Sequence, residues 1–309
     1  MRKSSLLYTL PLLGGLLGIY LWLNRERISP ERENFSLLLV KRYDSIKMKE
    51  VKDLKRKLLL SSREGEREKA DKYKEKIKEV IYSIVEAYQN FLSRYPDSKE
   101  AWNLLGLVYF DHMSEQEKAK ECWEKALEID PSYSPALNNL ATYYAHIGEH
   151  IQSIKLLQKA ISVNPHNAIF HLNLSDSYLL YRYKVMKEFG WSLPRVFHEA
   201  MKEAEIAREL EPNNFWLAIQ VAELQYQARF FKIEPDWEKA LKDLEYCKGL
   251  PLNDKEKMRL YLDFYRVYWN LGRKEEAREA LLTAYKILPS HHLKNLLERL
   301  KNNGKDKTP

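Results

Sequence analysis

The sequence predicts an all-α protein: a stack of helix hairpins behind a single apolar, membrane-spanning helix. Three observations carry this. Glycine is scarce, at 10 of 309 residues, and no run alternates Val, Ile or Thr with polar residues as a half-buried strand would. Lys, Glu, Leu and Ala, all strong helix formers, dominate instead. Prolines at 96, 131, 165, 212 and 289 each close an amphipathic stretch, with a spacing near 34 residues where it is tightest, the period of a repeated two-helix unit.

The first element is the stretch SLLYTLPLLGGLLGIYLWLN, Ser5 to Asn24, which holds no charge. About 20 residues at 1.5 Å each cross a hydrocarbon core of about 30 Å. Arg2 and Lys3 precede it, Arg25 and Arg27 follow, and Tyr20 and Trp22 suit the interface. A cleaved signal peptide shares the basic start and apolar run. No small-x-small site stands before Asn24, however, and IYLWL is bulky, so residues 1–27 are expected to stay as a single-pass anchor. Gly14 and Gly18 form a GxxxG that would allow a homodimer, or are simply two glycines in an apolar helix. Basic residues flank both sides almost equally. The side of the membrane stays open, with a lean to the outside.

Residues 28–63 form a basic amphipathic segment. Residues 1–63 hold 14 Lys/Arg against 6 Asp/Glu, and the rest of the chain 37 against 38. Leu39, Tyr43, Ile46, Val51, Leu54 and Leu58 fall in one broad stripe, with Lys and Arg over much of the remainder. Such a helix either lies on an anionic bilayer or packs on the body with a solvated basic back. SSREGERE at 61–68 is expected to be a hinge. The near-neutral body offers no basic groove, so no nucleic-acid partner is expected.

Residues 64–304 carry the hairpins. Over 99–132 the pattern is Trp102, Leu105, Gly106, Tyr109, Ala119, Trp123, Ala126 and Pro131. Over 134–167 it is Leu137, Leu140, Ala141, Tyr144, Ser153, Leu157, Ala160 and Pro165. Over 168–213 it widens to His171, Leu174, Ser175, Tyr178, Ala200, Ala204, Ala207 and Pro212. It degenerates over 215–252 (Ala218, Val221, Ala222, Gln225, Ala240, Leu244, Cys247) and recovers over 258–291 (Tyr261, Phe264, Tyr265, Tyr268, Ala277, Leu281, Ala284, Pro289). Small residues such as Ala141 and Ala160 let two antiparallel helices approach, while larger neighbours fill around them. Gly148 turns the chain, Pro165 stops the second helix and Asn167 caps the next. Lys72 to Arg94 is expected to be a lone capping helix, and His291 to Leu300 a closing one.

This pattern resembles the tetratricopeptide repeat (TPR) family. The resemblance implies a right-handed superhelical solenoid whose first helices line a concave groove for a protein or peptide. By register the groove would present Asn103, Asn138, Thr142, His146, Asp176, Glu223, Tyr226, Arg266 and Trp269, with Phe110, Leu172, Leu179 and Ile219 among them. One subclass clamps a C-terminal carboxylate with Lys and Asn, but Asn103 and Leu107 stand at those places here, so no such clamp is expected.

The third and fourth repeats carry insertions, about 13 residues at Tyr181–Arg195 and about six near FFKIEPDW, at the same end of the stack. Their aromatic residues either form an exposed contact surface or cover each other as a satellite core.

No catalytic or cofactor motif has its context. His198-Glu199 lacks the second histidine of HExxH; His146 and His150 are split by Gly148; Cys122 and Cys247 are far apart on apolar stretches. No enzyme activity, metal, cofactor or small-molecule substrate is therefore expected. The expected function is a membrane-anchored interaction scaffold. The alternative is a structural or assembly subunit of a membrane or envelope complex.

Overall fold

The basic segment forms one long helix, α1 (Pro30–Arg63), in the computed structural model, which describes residues 30–302. The expected anchor at residues 5–24 and its Gly14/Gly18 pair lie outside the described residues. Among those residues no helix is long and apolar enough to cross a membrane.

The described residues divide into two compact units, the first ending at Ala136 and the second beginning at Leu137. In the first, α1 packs along α2 (Arg67–Leu92) as a hairpin. Leu37, Val40, Val51 and Leu54 are buried on α1, as are Val80, Ile84 and Tyr88 on α2. Tyr43 Oη donates to Ser83 Oγ at 3.1 Å and Tyr88 Oη to Asp44 Oδ2 at 2.8 Å. One expectation is thereby corrected, since Lys72 to Arg94 is not a lone cap but pairs with α1. Of the two readings open for residues 28–63, α1 takes the one in which the helix packs on the body with a solvated basic back. The physical reason is the stripe itself, which is wide enough to need a covering helix, although Ile46, at its edge, stays half exposed outside the contact. The expected hinge is a tight turn, with Gly65 at φ +76° and Glu66 N–H donating to Ser61 O at 2.9 Å.

The same unit holds α3 (Lys99–Val108), a π-helical turn (Tyr109–Met113) and α4 (Gln116–Ile129). Gly106 lies against the Trp123 indole so closely that a Cβ there would be 2.5 Å from Nε1. Trp123 is 1% exposed, and its Nε1 donates to the Asn103 carbonyl at 3.2 Å.

α5 (Ser134–His146) carries the chain into the second unit, which continues with α6 (His150–Val163), α7 (Ala168–Leu180), α8 (Arg182–Phe189), α9 (Leu193–Leu210) and α10 (Phe215–Leu224). A 3₁₀ stretch (Gln225–Phe231) leads to α11 (Trp237–Lys248), α12 (Asp254–Asn270), α13 (Lys274–Ile287) and α14 (His291–Asn302). No strand occurs among the described residues, and each unit is built of antiparallel helix hairpins.

Local chemistry explains the joints. Gly148 takes φ +88°, where side chains are strained, and Glu149 N–H returns to Tyr144 O at 2.8 Å. Asn167 Oδ1 accepts from Ile169 N–H at 3.0 Å, the N-cap its position implied. Ala141, Ala160, Ser175, Ala200, Ala218 and Ala240 are all buried, and Ser175 Oγ donates to Ala200 O at 2.8 Å across one such close approach.

The two insertions cover each other for the most part. Val185 of α8, Leu193 and Phe197 of α9, and Phe231 of the 3₁₀ stretch share one apolar cluster, with Phe189 and Trp191 packed on it. The Phe197 and Phe231 rings lie 5.4 Å apart. Tyr183 and Phe230 remain outside it, well exposed.

Candidate functional site

In the second unit the residues expected to meet a partner separate into two groups. The first surrounds an open depression of about 330 Å³ bounded by α5, α6 and α7. Thr142, His146 and Asp176 line it, together with Asn173, Leu180 and Tyr181, which sequence reasoning did not select for the groove. Thr142 is half-buried, and its hydroxyl donates to the Asn138 carbonyl at 3.2 Å. Asn173 Nδ2 donates to Asn138 Oδ1 at 2.8 Å, linking α7 to α5. Asp176 is exposed and accepts from Gln220 Nε2 on α10 at 2.8 Å. No cation pairs with Asp176 among the described residues. Leu180 is exposed on the rim. Tyr181 is held by His150, whose ring stacks on it at 3.7 Å and 8°.

The second group is already engaged with itself. Arg259 Nε donates to Glu223 Oε1 at 2.9 Å and lies 3.0 Å from Asp263 Oδ2. Arg266 Nη1 donates to Asp263 Oδ1 at 2.8 Å, and Tyr226 Oη donates to the Asp263 carbonyl at 3.3 Å. Asp263 is 0% exposed. Burial, and after it the Glu223 carboxylate, raises its carboxyl to about 6, against the lowering pull of the two guanidinium groups. Glu223 of α10 and Tyr226 of the 3₁₀ stretch are therefore tied to α12, Arg266 is taken up by Asp263 of its own helix, and the three present few uncommitted polar groups. Trp269 is half-buried against Tyr265, with ring centroids 6.2 Å apart.

Asn103 is corrected. It is 5% exposed within the first unit, where α3 packs tightly on Trp123, so its side chain is not offered at a surface. Leu179 and Ile219 are likewise core residues. Asp263 and Asn173 were missed, although a signal was present. Asn139, Asn173, Gln220 and Asp263 each stand one residue before the large apolar residue of the repeat (Leu140, Leu174, Val221, Phe264). A polar group at one register in four successive repeats marks a shared face.

Among the described residues no group of three His, Cys, Asp or Glu side chains could hold a metal ion. Cys122 and Cys247 are buried and free, and burial raises both thiols to about 12.

Comparison with known proteins agrees with this architecture. Tetratricopeptide repeat family models match residues 99–133 and 266–291, and another matches 122–155. Two curated relatives, both called uncharacterized protein ycf37, match short stretches. That of Pyropia yezoensis is 36% identical over 66 residues, 21% of this chain and 36% of the relative. That of Porphyra purpurea is 30% identical over 95 residues, 29% of this chain and 54% of the relative. The chain thus spans about half or less of the curated relatives it matches. Among solved structures, YrrB, described as a TPR protein with an unusual peptide-binding site, aligns over 70% of this chain and 99% of its own, with TM-score 0.50 and 17% identity. Pseudomonas aeruginosa pilF aligns over 82% and 98%, with TM-score 0.50 and 17% identity. Human IFIT1, solved as a dimer with m7Gppp-AAAA, aligns over 72% and 51%, with TM-score 0.53 and 18% identity. At such identities these three speak for the fold alone.

Proposed function

We propose that this chain of tetratricopeptide repeats is a membrane-anchored interaction scaffold whose depression on α5, α6 and α7 takes an extended segment of a partner protein. The observation that carries this is the lining of that depression. The Asn173 amide and the Thr142 hydroxyl can donate to and accept from a peptide backbone whatever its side chains, with the Asn138 and Gln220 amides holding Asn173 and Asp176 in place behind them. Leu180, Leu157 and Tyr181 add apolar surface beside them, the mixture that recognition sites use. The exposed Asp176, with only an amide for company, favours a partner carrying Lys or Arg there.

The membrane part of the proposal rests on residues 5–24 and their flanking arginines. A nucleic-acid ligand is disfavoured by charge. Residues 64–309 carry 37 Lys/Arg against 38 Asp/Glu, whereas backbone phosphate binding needs a clear basic excess.

The test is site-specific photocrosslinking in the native host, with a benzophenone amino acid at Thr142 or Leu180 and a control at Tyr183. A discrete adduct at the first two sites, lost in Asn138→Ala/Asp176→Ala, supports peptide capture. Tyr226→Ala is a poor variant for this purpose, because Tyr226 is bonded to Asp263. Adducts that persist in the double variant, or that form only at Tyr183, would reject the groove and favour an assembly role through other faces.

A further inference from the structure

α1 has a second face that the fold does not use. Its 34 residues, ~51 Å of helix, bury Leu37, Val40, Val51 and Leu54 toward α2. On the side turned away from these, Phe35, Leu38 and Ile46 stand about half exposed or more, as does Leu60 near the far end. Between these apolar groups the same face carries Arg42, Lys49, Lys52 and Arg56, all exposed. Arg56 pairs with Asp53 at 2.8 Å. Arg42, Lys49 and Lys52 have no carboxylate partner among the described residues.

The geometry points to this outward face as a lipid-contact surface that lies on an anionic bilayer, with the apolar side chains in the headgroup region and the basic ones on phosphate. The spacing distinguishes this from a protein groove. A helix that docks in a groove presents a continuous i, i+3, i+4, i+7 stripe. Here the apolar groups stop at Ile46 and resume at Leu60, 14 positions or ~21 Å later, and cations fill the gap. A bilayer accepts that arrangement because Lys and Arg stems extend until their charges reach phosphate. Charge complementarity supplies the rest, since each basic side chain near an anionic surface contributes attraction. The position also fits, as α1 begins six residues after the uncharged run that ends at Asn24. The inference does not depend on the groove.

The experiment uses the full chain with Ser45→Cys, an exposed site on the outward face of α1, labelled with an environment-sensitive fluorophore. The native cysteines are buried, so labelling is selective, and Glu121→Cys on α4 is the control. Iodide quenching is measured with phosphatidylcholine vesicles and with vesicles containing about 30% phosphatidylglycerol. Quenching at position 45 should fall about fivefold on the anionic vesicles only, and the triple variant Arg42→Gln/Lys49→Gln/Lys52→Gln should lose that protection. The control site should not change. Equal quenching on both vesicle types would overturn the inference. Protection that appears without vesicles and grows with protein concentration would also overturn it, since a second copy would then cover the face. Flotation with the neutral vesicles reports on residues 5–24 separately, so failure of the anchor and failure of the α1 face are told apart.

Discussion

Replacing Gly106 with alanine sets two opposed effects against each other. In an exposed helix the change would stabilise by about 0.8–1.0 kcal/mol through helix propensity. Here the new methyl would stand 2.5, 2.8 and 2.9 Å from three indole atoms of Trp123. The indole has little room to retreat, because it is almost fully buried and the Phe110 ring sits 5.5 Å from it. Overpacking of this kind costs about 1–3 kcal/mol. If the indole shifts instead, its hydrogen bond to the Asn103 carbonyl is lost from a buried site, at about 1–3 kcal/mol. The sum is a net destabilisation of about 2 kcal/mol. The assay is urea unfolding followed by far-ultraviolet circular dichroism on the wild type, Gly106→Ala, Trp123→Leu and the double variant. In the Trp123→Leu background the clash is absent, so Gly106→Ala should be neutral or stabilise by up to about 1 kcal/mol, a coupling of about 2–3 kcal/mol. Gly106→Ala that is neutral or stabilising in the wild-type background, or that costs the same in both, would refute the packing argument.

Other predictions follow from burial and charge. Phe231→Ala should lower stability by about 3–5 kcal/mol, whereas its neighbour Phe230→Ala, 70% exposed against 1%, should stay within about 0.5 kcal/mol; equal effects in urea unfolding would show that the insertions do not share a core. Asp263 binds its proton more tightly folded than unfolded, at about 6 against 3.8. Its contribution to stability is therefore greatest below about pH 4 and is lost as pH rises through 6, so Asp263→Asn should gain about 2–3 kcal/mol relative to the wild type between pH 4 and pH 7. A constant difference between the two across that range, measured by thermal or urea unfolding, would contradict this. Cys122 and Cys247 should resist a thiol reagent at neutral pH and react only on unfolding, because both are buried with thiols raised to about 12; rapid native reaction would place them at a surface.

Much of the fold was legible because its signals are local. Gly148, Pro165 and Asn167 act within a few residues of themselves, and the small residues at 141, 160, 200 and 240 mark helix contacts by type alone. The depression was partly legible for the same reason, since Thr142, His146 and Asp176 follow from repeat register. What a register cannot state is what lies opposite. Asn103 and Ile219 share the register of Asn138, yet their surroundings bury them. Glu223, Tyr226 and Arg266 look like free groove groups until Arg259 and Asp263, some 36 positions from Glu223 or Tyr226, are brought against them. The fate of α1 follows the same rule. Its sequence showed one apolar stripe and one basic remainder, and allowed either a bilayer or a body beneath the stripe. Only the packing of α2 against Leu37, Val40, Val51 and Leu54 decided which face was consumed. The sequence by itself determined the helices, their joints and their spacing. The tertiary structure decided which side chains remain available, because availability depends on groups that meet across tens of residues.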